Sequence, residues 1–90
     1  MSNAEFSGVL VISRKGHDKG TFYVIKSVTD DKHVFVVNGV NRHTSKPKRK
    51  NIRHLSITGC RVAAIDDQNI KKAIAEYRAK VNDGTLKVKK

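Results

Sequence analysis

Residues 42–54 are the stretch best equipped to do chemistry. Arg42, His43, Lys46, Lys48, Arg49, Lys50, Arg53 and His54 fall within it, and no Asp or Glu does. Fixed positive charge at this density repels itself and is stabilised by an anionic partner. A nucleic-acid backbone is the partner most in keeping with it, because Lys and Arg neutralise phosphates, donate to their oxygens and displace condensed counterions. A solvated charged face is the plainer explanation. The position of the run weakens it, since the run contains Pro47 and lies between strand-like segments rather than at a terminus. The charge distribution agrees. Residues 1–41 carry five basic and four acidic side chains, residues 42–58 six and none, and residues 59–90 eight and four. The net charge of +11 is therefore a central block with a diluted C-terminal contribution.

A second cationic cluster surrounds two glycines. Arg14, Lys15, Gly16, His17, Asp18, Lys19 and Gly20 form a short polar stretch between two apolar runs. Glycine tolerates positive φ, so Gly16 and Gly20 permit a tight loop whose exposed amides and flanking cations can meet a phosphate together. The stretch lacks the Gly-Lys-Ser/Thr ending of a nucleotide-binding loop, and no long helix comes after it. An ordinary hairpin turn is the competing reading.

Other chemistries find little support. His17, His33, His43 and His54 have no metal-ligand spacing, so no metal or other cofactor is expected. Asp30-Asp31 reads as a turn and Asp66-Asp67 as a helix cap, because adjacent carboxylates do not face each other. Cys60 is the only cysteine. It permits no intramolecular disulfide, and the Arg61 beside it supplies no oriented base, so no nucleophile is assigned and the chain is not expected to be an enzyme. A reducing, cytoplasmic setting is the expectation. No apolar stretch reaches the ~18–20 residues that span a bilayer, and no signal-peptide pattern is visible. With five aromatics and no Trp, a broad base-stacking platform is not expected either.

Periodicity gives the strands and the helix on which these residues sit. Residues 8–13, 21–28 and 33–37 read as strands, the first apolar on both faces, with turns at 14–20 and 30–32 and an Asn38-Gly39 stop. Pro47 confines its own segment to an edge or bulge, so residues 48–52 give a short fourth strand and residues 55–58 a fifth. In the last third Ile70, Ala73, Ile74, Tyr77 and Val81 make one face of an amphipathic helix. Asp66 or Asp67 is placed to cap it, Gly84 to end it, and Lys72–Glu76 and Glu76–Lys80 to pair across its outer face. The helix is expected to cover one open end of a small barrel, with a partner-binding helix as the alternative.

Residues 11–25 resemble a KOW motif: an apolar strand, a basic residue and Gly (Lys15-Gly16), two variable residues, a basic residue and Gly (Lys19-Gly20), then a second apolar strand. Val36-Val37-Asn38-Gly39, residues 46–51 and Arg53-His54-Leu55 extend the resemblance to small KOW-domain RNA-binding proteins, related to large-subunit ribosomal proteins of the fourteen-e, six-e and twenty-seven-e types. The likeness covers roughly residues 8–58. It implies a mainly β fold, a small five-stranded SH3-like barrel with one C-terminal amphipathic helix. It also implies binding to RNA, ribosomal RNA of the large subunit above all, through residues 14–20 and 46–54. The domain plan is then an N-terminal extension (1–7), the barrel (8–58), a linker and helix (59–84) and a basic tail (85–90). The expected partner is RNA, with no membrane, and the expected state a monomer. KOW domains of NusG-type transcription factors commonly follow another domain, for which this chain has little room. A module that binds an acidic protein, or DNA in transcription, is the competing expectation.

Overall fold

β-branched residues crowd three early runs of the chain, and each run becomes a strand. The computed structural model describes residues 6–40 and 42–82. It contains β1 (Val9–Ser13), β2 (Phe22–Val28), β3 (His33–Val37), β4 (Lys48–Asn51), β5 (Leu55–Arg61) and the helix α1 (Asp67–Asn82), with one turn of 3-10 helix, Ile52–His54, between β4 and β5. The strands form a single antiparallel sheet in the order β4-β3-β2-β1-β5. β4 and β5 are its two edges and do not pair with each other, so the sheet is open where a closed barrel was expected. The residues between them form a 3-10 turn instead of a hairpin loop, and no ladder joins the two edges.

Alternation along the strands buries both faces. Val9 and Val11 of β1, Tyr23 and Ile25 of β2, Val34 and Val36 of β3, and Leu55 of β5 make one core. Leu10, Val24 and Val37 point the other way and are covered by Ile70 and Ile74 of α1. The continuous apolar run of β1 is explained by this, since both of its faces are buried. The helix therefore lies on a sheet face, not over a barrel end as expected, because Leu10, Val24 and Val37 would otherwise face water. Tyr77 meets Phe22 edge to face at 5.7 Å, and the Arg78 guanidinium lies over the same ring at 5.6 Å.

Local signals place the ends of these elements. The Asp66 carboxylate accepts from the Asn69 backbone N–H at 2.8 Å and is the helix cap, which frees Asp67 for another role. The Asn69 backbone and side-chain amides are the main reason the Asp66 carboxyl titrates below its usual range. The anticipated Glu76 pairs are not among the ion pairs of the described residues, which belong to Asp18, Asp30 and Asp67. Exposed pairs gain too little to hold two long side chains in one geometry. β5 runs on to Arg61, past the Thr58 at which sequence alternation stops and into the expected linker. A register shift opposite Val9 and Val11 explains the difference. Thr58 Oγ1 donates to the Leu10 carbonyl and accepts from Cys60 N, and Gly59 turns at φ +88°, so a bulge interrupts the alternation without ending the strand. The Val81 side chain, the Gly84 cap and the 85–90 tail lie outside the described residues.

Gly39 and Gly59 separate strain from collision. Both have positive φ, +77° and +88°; a Cβ on Gly59 meets nothing within 4 Å, whereas one on Gly39 lies 2.8 Å from the Asp67 carbonyl and 2.6 Å from Lys71 Cγ. Gly59→Ala should cost about 1 kcal/mol, the left-handed penalty alone. Gly39→Ala should cost at least about 2 kcal/mol, since the loop must also leave the helix start. Urea midpoints check the ranking, and equal losses would mean that Gly39 does not pack on α1.

Candidate nucleic-acid interface

The basic run enters the sheet as β4, and the two-residue period of a strand decides where its charges go. Lys48 is the register partner of Val36, Lys50 of Val34, and Arg49 of Phe35. Lys48 and Lys50 therefore point to the face of the first core, and Arg49 points away. Lys50 is almost enclosed, its side chain 9% exposed. Two ammonium groups at the margin of a core need an anion, and Asp18 supplies it from the loop between β1 and β2. Its Oδ1 accepts from Lys50 Nζ and Ser13 Oγ, both at 2.8 Å, and its Oδ2 from Tyr23 OH at 2.7 Å and Lys48 Nζ at 3.1 Å. Lys50 Nζ also donates to Ser13 Oγ at 3.0 Å. Burial works against the Asp18 carboxylate, but the donors Lys50, Tyr23, Ser13 and Lys48 outweigh it and hold the carboxyl well below the usual range. Burial, followed by the Asp18 hydrogen bond and charge, pushes the Tyr23 phenol up against a smaller opposing effect of Arg42. Among the described residues no buried side-chain nitrogen or oxygen lacks a partner.

The remaining cations divide into three groups. Arg49 Nη2 donates to Asp30 Oδ2 at 3.1 Å. Asp30 Oδ1 receives the Lys32 and His33 backbone N–H groups, both at 2.8 Å, and faces His33 Nδ1 at 3.1 Å. The Lys32 backbone amide is the leading cause of the lowered Asp30 pKa. Arg42, His43 and Lys46 sit in the loop after β3, which is tied to the start of α1. Thr44 N donates to Asp67 Oδ1 at 3.0 Å, and His43 Nδ1 lies 3.3 Å from Asp67 Oδ2.

The third group gathers around an open hollow. Arg14 N donates to the His54 carbonyl at 2.8 Å, which sets the start of the 14–20 loop beside the 3-10 turn. Arg14, Lys15, Asn51, Arg53 and His54 line a polar hollow of about 340 Å³ there. Asn51 Oδ1 accepts from Arg53 N, so its side chain caps the turn that carries Arg53. Arg14, Lys15, Lys19 and Arg53 are exposed and form no ion pair among the described residues. Gly16 and Gly20 both adopt positive φ, as their spacing suggested, and His17 and Lys19 are exposed on the same loop.

The expected site residues are thus only partly brought together. Arg14, Lys15, Arg53 and His54 meet, Lys48 and Lys50 are taken up by Asp18, and Arg42, His43 and Lys46 belong to the loop docked on α1. Asp18, Ser13 and Tyr23 were not anticipated as organisers. Two signals pointed to them: Asp18 is the one acid in the 14–20 loop, and Lys48-Arg49-Lys50 occupies a strand whose alternate residues must share a face. The sequence matches no protein-family model and no curated protein.

Asp18 yields a test with a defined sign. Its folded pKa is lowered, so its contribution is complete above the ordinary value near 3.8 and is lost as pH falls through and below that value. Asp18→Asn should cost about 3 kcal/mol near neutral pH, because Lys50 is left enclosed without an anion. It should also flatten the loss of stability between about pH 5 and pH 2. Denaturant titrations of both proteins across this range measure it; parallel pH profiles would show that Asp18 is not the ionised partner.

Proposed function

We propose that this chain is a non-enzymatic RNA-binding protein of the KOW type that docks on structured ribosomal RNA of the large subunit. The observation that carries the reading is the hollow where Arg14 and Lys15 of the motif loop meet Arg53 and His54 of the 3-10 turn. These are the two segments the KOW resemblance singles out, and the fold makes them neighbours. Arg14 and Arg53 offer planar, bidentate donors for phosphate, and Lys15 and Lys19 act as mobile point charges beside them. Lys48 and Lys50 stabilise the loop from beneath and do not touch the RNA. Arg49, Arg42 and Lys46 extend the positive field around the contact and steer association.

The same reading takes the open sheet as an SH3-like barrel that stops short of closure. Register shifts between Val9 and Val11 and between Ile25 and Ser27 favour strong curvature, and Ile52 of the 3-10 turn packs against the core that the curvature encloses. Burial of Ile70, and of Ile74 but for one edge, against the chain's own sheet leaves less of the helix stripe for a protein partner and so supports RNA over an acidic protein.

Four phosphate contacts predict a fall in affinity of about 100-fold between about 50 and 200 mM salt. Arg14→Ala and Arg53→Ala should each weaken binding to a large-subunit ribosomal RNA fragment and reduce the slope of log affinity against log salt by about 1. Fluorescence anisotropy at several salt concentrations measures both. Crosslinking in ribosome fractions should recover one segment of that RNA; no enrichment over a charge-matched control protein would overturn the reading.

A further inference from the structure

On the other side of the Lys19-Gly20 corner a groove runs between the loop after β3 and one flank of α1. Its two adjoining parts measure about 320 and 230 Å³ and share Asn38, Val40, Ile74 and Arg78. Val40 is 66% exposed, the most exposed large hydrophobic residue described. Ile74, otherwise buried in the core, shows an apolar edge beside it, and Arg78 makes a wall with its guanidinium laid over the Phe22 ring. Lys19 stands at one end and Lys71 at the other. The lining therefore contains three cations and no acid.

We propose that this groove holds one unpaired nucleotide of the bound RNA, its base on Val40 and Ile74 against Arg78 and its phosphates between Lys19 and Lys71. The inference rests on the RNA-binding reading and adds a second contact to it. Three features select this occupant. Lys19 and Gly20 line the groove and belong to the same 14–20 loop whose Arg14 and Lys15 line the hollow, so one short loop joins the two sites. A flat aromatic base suits an apolar surface next to a guanidinium group that Phe22 already holds in place, because unstacked bases bind on such planes. The purely cationic rim complements the phosphates on either side of that base. A single seat of this kind is consistent with a chain that has too few aromatics for a stacking platform.

The test uses the full chain, a short oligouridylate, and an RNA duplex of equal length. Oligouridylate should shift the Val40 and Ile74 methyl resonances upfield through the ring current of the seated base, and the duplex should not. Val40→Ala and Arg78→Ala should each weaken oligouridylate binding five- to tenfold and leave duplex affinity within twofold. Arg14→Ala should weaken both ligands, which separates this contact from the primary one. Unshifted methyls, or groove variants that lower affinity for both ligands equally, would overturn the seat while leaving RNA binding intact. Failure of the wild-type chain to bind either RNA would overturn both readings. An acidic peptide that displaces oligouridylate from the methyls but not from Arg14 would confirm the groove as the nucleotide's seat by competition; a peptide that shifts them where oligouridylate does not would overturn it.

Discussion

The carboxylate of Asp18 closes the margin of one core. Two lysines of β4 point to the same face as Val34 and Val36, because they are register partners of those residues. An ammonium group so enclosed is tolerated only with an anion and full hydrogen bonding. The loop between β1 and β2 bends so that its single acid meets Lys48, Lys50, Ser13 and Tyr23 at once. Loop conformation, the position of β4 and the choice of cations left facing solvent are all set by that one arrangement. Such a network also favours one register, since a one-residue slip of β4 would place Arg49 beneath Asp18 and turn both lysines outward.

A sheet buried on both faces lets a small chain assemble enough apolar area to stay folded. β1, β2 and β3 serve two cores, one shared with Leu55 and flanked by Phe6, Val28 and Ile52, the other covered by α1. The three central strands are thereby fixed from both sides, and the segments that emerge from their ends inherit that rigidity. Arg14 leaves the end of β1, and Arg53 sits in the turn before β5, which pairs with β1. The backbone separation of the two arginines is consequently tied to the β1–β5 ladder and to the hydrogen bond from Arg14 N to the His54 carbonyl.

The central charge block does not act as one surface. Lys48 and Lys50 are spent on Asp18, Arg49 on Asp30, and His43 on Asp67 at the helix start. The field of the whole segment still attracts an anion from a distance, but the groups that remain free to touch it are fewer and lie at the ends of the run. Charge density in a sequence thus overstates the number of available contacts whenever the charged run is also a strand.

Periodicity, turn residues and charge counts were enough to place β1 to β4, the start of β5, the helix, the two-sided apolar character of β1 and the two segments that carry the cations. These are local properties: alternation, helical spacing and turn residues act within a few positions and leave a direct trace in the order of residues. The end of β5 was hidden because the bulge at Gly59 breaks the alternation that marks a strand. The open sheet, the seat of α1 on a sheet face, and the sorting of Lys48 and Lys50 from Arg53 depended on which residues separated in sequence become neighbours. Asp18 and Lys50 lie 32 positions apart, and nothing in their local context couples them. Only the register of β3 against β4 and the fold of the β1–β2 loop bring their charges within 2.8 Å, where burial makes pairing obligatory.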